Sequence, residues 1–443
     1  MDNPHLIFNA RREQIKYTMD QKKALMLIET FLKSKDSFFL LSGNAGTGKT
    51  TIAENIAQFS KANLLAPTNA AIKRLREKMS YFDDERFSTI HGAIYGLPDE
   101  ETGEFKKRGG LSSAKVFIVD ECSMIDKVML NDLVSEALRK EAKLIFLGDD
   151  FQLEPVGADP KIFDWEVCQE TYSHQYFKKE WKYKMTEVMR NQGSILKSAT
   201  HLRTAAKTEL IAFDDNSYTI TDRFSEDLPS DIDNRNEFVV IVSTNKTRMQ
   251  YNRHIRNRKF EEDAENPICD GEILISVSNQ RFVNGEIYTV KKPRVIKEYD
   301  LEINTGSKMY PNINNYKMYL VHHEVEGLKG MEAHKTLVIP NLDKPSLYSG
   351  QLMSNDEIFR DDSLTKYVRA IGKRIWRPSV NIATYGYSIS AHKSQGQEWD
   401  NVYIDCDWLS DAWNKSRWLY TALTRAKKKV EIKRSNQFST IKP

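Results

Sequence analysis

A glycine-rich run that can hold phosphate is the clearest chemical signal in the sequence. Residues 43–50 read Gly-Asn-Ala-Gly-Thr-Gly-Lys-Thr, which fits the phosphate-binding loop pattern without a mismatch. Glycines allow consecutive backbone N–H groups to curl around a polyphosphate, and a following helix adds the positive end of its dipole. In this pattern Lys49 reaches the β- and γ-phosphates and the Thr50 hydroxyl binds Mg²⁺. The run therefore predicts a nucleoside triphosphate site.

Two carboxylates and an amide later in the chain could complete a hydrolytic site. The apolar residues 116–119 read as a buried strand and lead directly into Asp120 and Glu121. Asp120 would hold Mg²⁺ through its water shell, and Glu121 would polarise the attacking water. Residues 148–152 read Gly-Asp-Asp-Phe-Gln after the next apolar run, which can place the Gln152 amide beside the γ-phosphate.

The elements that must position these side chains form two α/β units. Short apolar runs alternate with helical stretches up to about residue 190, and this pattern is typical of a parallel sheet. A second α/β unit restarts after residue 237. The predicted strands are residues 38–41, 63–66, 116–119 and 144–147 in the first unit, and residues 238–242, 402–404 and 430–432 in the second.

Three stretches depart from this alternation. Residues 95–115 are polar and glycine-rich, which predicts an inserted hairpin. Residues 271–378 contain many short β-like runs separated by turn signals, which predicts a small β-barrel inserted into the second unit. Residues 204–236 are polar and acidic, which predicts helices and connections rather than sheet.

Composition limits the class of protein. A chain of 443 residues is too long for one hydrophobic core, so two or more domains are expected. The net charge of +3 is nearly neutral, so a nucleic acid would have to bind in a local groove. The four cysteines show neither metal nor disulfide spacing, which fits a reducing cytoplasm. No apolar run is long enough to predict a membrane span.

The motifs, taken in chain order, resemble those of superfamily 1B DNA helicases, in the RecD/Pif1-like group that includes the phage Dda helicase. Gln21 matches the adenine-reading glutamine ahead of the phosphate loop, and residues 120–124, Asp-Glu-Cys-Ser-Met, match motif II. The remaining matches are motif Ia at residues 66–71, motif Ib at 88–92, motif IV at 186–190, motif V at 388–396 and motif VI at 420–426.

This resemblance implies an α/β fold with two RecA-like parallel-sheet domains that flank an ATP cleft. The first domain would carry a β-hairpin insert and the second an SH3-like β-barrel. The implied boundaries are an N-terminal tail at 1–16, domain 1A at 17–186 with a pin or 1B insert at 93–114, domain 2A at 187–270 and 380–443, and domain 2B at 271–379.

The resemblance also implies three sets of site residues. The catalytic set is Lys49, Asp120, Glu121, Gln152 and two arginine fingers, Arg190 and Arg425, with Thr50 and Asp120 at Mg²⁺. The ATP-binding set is Gln21, Gly43, Asn44, Ala45, Gly46, Thr47, Gly48, Lys49, Thr50, Thr51 and Gly396. The DNA-binding set is Pro67, Thr68, Asn69, Thr89, His91, Phe105, Ser390, His392 and Lys393, with Phe105 at the tip of a strand-separating pin.

Several of these residues also have a purely structural interpretation. His91 and His392 could be packing or helix-end histidines, Arg190 could lie on the surface, and the 95–115 insert could be a surface loop.

The implied function is an ATP- and Mg²⁺-dependent 5′→3′ DNA helicase that moves on single strands and unwinds duplex. Its partners would be single-stranded DNA and single-strand/duplex junctions, together with single-strand-binding, replication or recombination proteins. A monomer in the cytoplasm of a bacterium or a phage-infected host is expected. Three alternatives stay open: a translocase or protein-displacing motor with little unwinding, a 3′→5′ superfamily 1 helicase, and an inactive ATP-gated binding module.

Overall fold

The computed structural model divides into two compact units, Met1–Leu196 and Lys197–Pro443. It describes residues 17–95, 110–154, 178–187, 193–213, 215–224, 238–277, 285–303, 313–325, 334–338, 380–406, 408–409 and 414–443. Among these residues, no helix is long and apolar enough to cross a membrane. The predicted tail at 1–16 lies outside the described residues, as do Phe105 and Arg190.

The first unit is built on a six-stranded parallel sheet. The strand order is β3-β2-β4-β5-β1-β6, with β1 flanked by β5 and β6. All four strands predicted from the apolar runs of this unit are present. The elements are α1 (Met19–Lys33), β1 (Phe38–Gly43), α2 (Lys49–Ser60), β2 (Asn63–Ala66), α3 (Asn69–Lys78), β3 (Phe87–Thr89), α4 (Ile90–Ile94), β4 (Val116–Val119), α5 (Lys127–Arg139), β5 (Lys143–Gly148) and β6 (Lys182–Met185).

Alternate residues of β1 enter two separate hydrophobic cores. Phe39 and Leu41 pack on the face covered by α1, α2 and α3, whereas Phe38 and Leu40 pack on the face covered by α4 and α5. Because both faces of the sheet are covered, its strands are apolar throughout rather than alternating. This arrangement leaves the carboxyl ends of the parallel strands at one edge, where the predicted chemistry lies.

The second unit contains a five-stranded parallel sheet and a closed barrel. The sheet order is β15-β9-β16-β17-β8, and the barrel order is β10-β11-β12-β13-β14. The elements are α6 (Ser194–Thr204), β7 (Glu209–Ile211), β8 (Tyr218–Thr221), β9 (Phe238–Val242), α7 (Asn245–Phe260), β10 (Ile273–Ser276), β11 (Ile287–Ile303), β12 (Ile313–Val325), β13 (His334–Val338), β14 (Val380–Tyr385), β15 (Ser388–Ser390), α8 (Ala391–Ser394), β16 (Trp399–Asp405), α9 (Lys415–Leu423), β17 (Ala426–Lys433) and β18 (Ser439–Ile441).

The prediction that residues 204–236 contain no sheet is wrong. β8 pairs in parallel with β17 and forms an edge of the main sheet, and β7 pairs with β18. Both strands are short, and only Tyr218 of β8 is buried. β8 alternates apolar residues with threonines and is half-buried at three of its four positions, so it lacks the continuous apolar run by which the other strands were predicted.

A buried ion pair joins α7 to the barrel. The Arg256 guanidinium donates to the Glu272 carboxylate, with Nε 3.0 Å from each oxygen, and the Tyr387 hydroxyl donates to Glu272 Oε1 at 2.8 Å. The Glu272 side chain is fully buried. These contacts connect the last turns of α7 to the residue that precedes β10. They therefore fix the position of the first barrel strand relative to α7.

We expect Glu272→Gln to lower the free energy of unfolding by about 3 kcal/mol, because it leaves the Arg256 charge buried without its carboxylate. The matched control is Glu298→Gln on β11, whose carboxylate pairs with Lys317 and is 47% exposed. We expect that control to change stability by less than about 0.5 kcal/mol. Urea unfolding of both variants measures the difference, and equal midpoints would contradict this assignment.

Candidate nucleotide site and DNA-facing edge

The predicted phosphate loop connects β1 to α2 and is closely packed. Gly48 has a left-handed backbone, φ +84°, and a Cβ at this position would lie 2.3 Å from Gln21 Nε2. Only glycine meets both conditions without strain. Gly48 is also the N-cap of α2 and offers no capping side chain, so the first N–H groups of α2 are not taken up by a cap. An uncapped helix start of this kind suits a phosphate.

Lys49 is held against the loop itself. Its ammonium donates to the carbonyl oxygens of Gly43 at 2.7 Å and Asn44 at 3.0 Å. The Thr47 hydroxyl donates to the same Asn44 carbonyl at 2.9 Å. Lysine is a point charge on a flexible stem, so a rotation of its side chain is enough to direct the ammonium to a phosphate.

Gln21, the predicted adenine reader, links α1 to the phosphate loop. Its amide oxygen accepts from the Thr18 backbone N–H at 3.1 Å, as part of a capping box, and its amide nitrogen donates to the Thr47 carbonyl at 3.0 Å. Gln21 is 2% exposed. The nitrogen end of this amide therefore holds the phosphate loop, while the oxygen end completes the cap of α1.

Asp120 and Glu121 follow β4, as predicted, and both are buried. Glu121 has a left-handed backbone, φ 51°, which is uncommon for a residue other than glycine. Burial raises the pKa of Asp120, and the Glu121 charge raises it further, while Arg74 and Lys49 oppose the shift. These charges lie close together at the end of β4.

Arg74 is a member of this cluster that the sequence motifs did not reveal. It lies on α3, and its guanidinium is 3.5 Å from Glu121 Oε1 and 3.5 Å from the Thr50 hydroxyl oxygen. Arg74 therefore contacts both the predicted lytic carboxylate and a predicted Mg²⁺ ligand. Its sequence signal is weak, since a basic residue on an amphipathic helix usually faces solvent.

Gln152 follows β5, the strand between β4 and β1, and is 4% exposed. Nearby loops contain buried polar atoms that suit a hydrated ion. Among the described residues, Asn44 Oδ1 in the phosphate loop and Ser123 Oγ in motif II are buried without a hydrogen-bond partner. A hydrated Mg²⁺ ion supplies donors and acceptors for such atoms, so the residues present fit the predicted metal.

Asp20 holds the segment that leads to Arg190. Its carboxylate accepts from the backbone N–H groups of Thr186 at 2.7 Å and Glu187 at 2.8 Å, and from the Tyr183 hydroxyl at 3.0 Å. Burial raises the pKa of Asp20, but these hydrogen bonds outweigh it, so the pKa lies below its usual value. The first turn of α1 thus holds both the phosphate loop and the start of motif IV.

In the second unit, motifs V and VI meet at Arg425. The Arg425 guanidinium is buried and donates to the carbonyls of Thr421 at 3.0 Å and Gln397 at 3.4 Å, and to the Thr424 hydroxyl at 3.1 Å. Gly396 directly precedes Gln397 and has φ +77°. The structure therefore places Arg425 beside the segment that contains Gly396. Both residues were predicted to belong to the ATP site.

The predicted DNA residues share one structural feature. Thr68, Thr89 and Ser390 each lie at or just beyond the carboxyl end of a parallel strand and cap the following helix with their hydroxyl oxygen. Thr244 does the same between β9 and α7, and the sequence analysis did not single it out. Pro67 and Asn69 flank Thr68 at the same end of β2. A hydroxyl that accepts from the helix keeps its own hydrogen free to donate to a phosphate.

In each unit, basic residues among the predicted DNA contacts have lowered pKa values. Burial lowers the pKa of His91, whose ring lies 5.4 Å from the Tyr95 ring, and burial also lowers the pKa of His392. Burial together with the Arg248 charge lowers the pKa of Lys393 to about 7. An anion near Lys393 and Arg248 would favour the charged form of Lys393 and raise its pKa again. The pair therefore suits a phosphate. Arg248 is a further residue that the motifs did not reveal.

The ends of the predicted hairpin insert are anchored on α5. Residues 96–109, including Phe105, lie outside the described residues. The Tyr95 hydroxyl donates to the Asp132 carboxylate, and Leu111 is buried in the core that α5 covers. The shape of the insert and the role of Phe105 stay predictions.

Comparisons with known proteins agree with this arrangement. A family model described as an AAA domain matches residues 16–221, and one described as a UvrD-like helicase C-terminal domain matches residues 385–432. The RecBCD enzyme subunit RecD of Buchnera aphidicola (Schizaphis graminum) is 23% identical over 93% of this chain and 73% of its own length. The ATP-dependent DNA helicase Dda of phage T4 is 24% identical over 93% of this chain and 97% of its own length.

This chain is homologous to the RecD subunit and to the Dda helicase. The crystal structure of the Bacteroides Pif1 helicase in complex with ADP-AlF3 and single-stranded DNA has a similar fold, with a TM-score of 0.50, 16% identity and coverage of 95% of this chain and 93% of that one. The resemblance inferred from the motifs and the fold class of two RecA-like units are confirmed. The hairpin insert, the SH3-like assignment of the barrel and the domain boundaries stay predictions.

We expect Asp20→Asn to lower the free energy of unfolding by about 1–2 kcal/mol at neutral pH, because an amide accepts more weakly from Thr186 and Glu187. The folded-state pKa of Asp20 is lowered, so this stabilisation exists above the unfolded-state pKa and is lost as pH falls through the folded-state value.

Urea unfolding at several pH values tests this expectation. The difference between Asp20→Asn and the wild type should shrink below about pH 4. Asp84→Asn is the control, since the Asp84 side chain is 90% exposed. A pH-independent difference would contradict the proposed role of the Asp20 charge.

Proposed function

We propose that this protein is an ATP-dependent DNA helicase that translocates 5′→3′ along single-stranded DNA and unwinds duplex. Homology to RecD and Dda over 93% of the chain carries this proposal. The cluster of Lys49, Thr50, Asp120, Glu121 and Arg74 at one edge of a parallel sheet supports the chemistry. The direction of movement is consistent with these families.

Different residues of the chain have different roles in ATP hydrolysis. The phosphate loop and the first turn of α2 bind the polyphosphate, and Lys49 neutralises its charge. Thr50 and Asp120 would hold Mg²⁺, which draws charge from the phosphate oxygens when it is bound. Glu121 orients the attacking water and accepts its proton, while Gln152 senses the γ-phosphate. Arg190 and Arg425 are our candidates for stabilising the charge that develops on that phosphate.

We assign DNA binding to helix-capping residues and their neighbours in both units. Thr68, Asn69, Thr89, Ser390 and Lys393 present hydroxyl, amide and ammonium donors that suit phosphates without sequence preference. The partners we propose are single-stranded DNA and single-strand/duplex junctions. We also propose that the protein acts as a monomer in the cytoplasm.

We expect the protein to open a partial duplex with a 5′ single-stranded tail and to leave a duplex with a 3′ tail intact, when ATP and Mg²⁺ are present. Release of a fluorescent strand measures unwinding. Lys49→Ala should abolish both unwinding and DNA-stimulated ATP hydrolysis, because the variant lacks the cation at the phosphates.

Opening of only the 3′-tailed duplex would reverse the proposed polarity. DNA-stimulated hydrolysis without opening of either duplex would favour a translocase. If the protein does open a duplex, deletion of residues 98–110 shows whether the insert contributes to strand separation, since unchanged unwinding and translocation rates after deletion would exclude it as a pin.

A further inference from the structure

The contacts of Arg74 suggest a second role for α3. The guanidinium reaches two groups of the proposed hydrolytic site, Glu121 Oε1 and Thr50 Oγ1, each at 3.5 Å. Its side chain is 24% exposed, whereas that of Glu121 is 8% exposed. Both distances are at the long end of direct contacts, so each contact is weak enough to be replaced when a stronger partner arrives.

These contacts compete with the hydrolytic chemistry. Glu121 must present a free carboxylate oxygen to the attacking water, and Arg74 lies against one of its two oxygens. Thr50 must present its hydroxyl oxygen to Mg²⁺, and a guanidinium in contact with that oxygen repels a divalent cation. In this position, Arg74 therefore keeps Glu121 and Thr50 in place but hinders them from contacting the attacking water and Mg²⁺.

The same helix begins at the proposed DNA contact. Thr68 caps α3, with its hydroxyl oxygen 3.3 Å from the Ala71 backbone N–H, and Asn69 is the first helical residue. Arg74 lies five positions beyond Asn69, about 7.5 Å along the helix axis. Ala71, Ile72 and Leu75 are buried on the inner face, so we expect α3 to respond to a contact at its first turn as a single packed element. A small shift of its first turn is transmitted to the Arg74 side chain.

We propose that Arg74 is a positioning residue that restrains Glu121 and Thr50 until single-stranded DNA engages the N-terminal end of α3, and that it thereby couples DNA binding to ATP hydrolysis. The inference rests on the proposed function, since it concerns how that activity is regulated. Loss of the guanidinium should raise ATP hydrolysis without DNA and reduce the extra rate that DNA provides.

The test compares Arg74→Gln with Arg76→Gln. Arg76 lies on the same helix, but its guanidinium contacts the Phe87 carbonyl at 3.2 Å and Asp84 at 3.6 Å. Both variants lose one positive charge from α3, so they share any general electrostatic effect on DNA affinity. The kcat and KM for ATP are measured with and without saturating oligo(dT), thermal melting checks folding, and fluorescence anisotropy measures oligo(dT) affinity.

The expected result is that Arg74→Gln lowers the ratio of DNA-stimulated to DNA-free kcat by about fivefold, at the low end of measured coupling factors. The higher DNA-free rate should account for much of this change. Arg76→Gln should keep the wild-type ratio. Arg74→Lys retains a cation but not the planar fork that contacts two groups, so its ratio should be intermediate.

Two outcomes would overturn the proposal while leaving the proposed function intact. The first is a wild-type ratio in a folded Arg74→Gln protein. The second is an equal loss of both rates, which would make Arg74 a direct participant in hydrolysis rather than a restraint. Absence of any DNA-stimulated hydrolysis in the wild type would instead overturn the proposed function itself, and the coupling with it.

Discussion

The parallel pairing of β4, β5 and β1 is the constraint on which the nucleotide site depends. Backbone hydrogen bonds between these strands fix their register, and each strand is buried on both faces. Because the strands run in the same direction, their carboxyl ends lie at one edge. The phosphate loop, the motif II carboxylates and Gln152 are adjacent for this reason, although they come from distant parts of the chain.

Much of this arrangement could be predicted from sequence because its signals are local. The loop of residues 43–50 needs glycines for its backbone and a lysine for its charge, and the buried strands are continuous apolar runs. The closed barrel was likewise predicted from short β-like runs separated by turns. Such features can be recognised without knowing which elements meet in space.

The remaining features depend on which side chains meet across the fold. Arg74, Asp20 and Arg248 have no local pattern that separates them from ordinary surface charges. Arg74 nevertheless contacts Glu121, Asp20 holds the segment that leads to Arg190, and the Arg248 charge lowers the pKa of Lys393. Gln21 was assigned to the nucleotide, and the structure shows that its amide also supports the phosphate loop. The edge strand β8 was missed because an exposed edge does not require apolar residues.

The hydroxyl caps restrict how these positions can vary during evolution. Serine, threonine, aspartate and asparagine all cap helices well, so folding alone would accept any of them at positions 68, 89, 244 and 390. An aspartate there would repel a nucleic acid backbone, whereas a hydroxyl can donate to it. For the DNA contacts that we propose at positions 68, 89 and 390, selection on stability and selection on binding therefore act on the same few residue types. A change to aspartate would preserve the helix cap but remove the proposed phosphate donor, whereas an exchange between serine and threonine would preserve both.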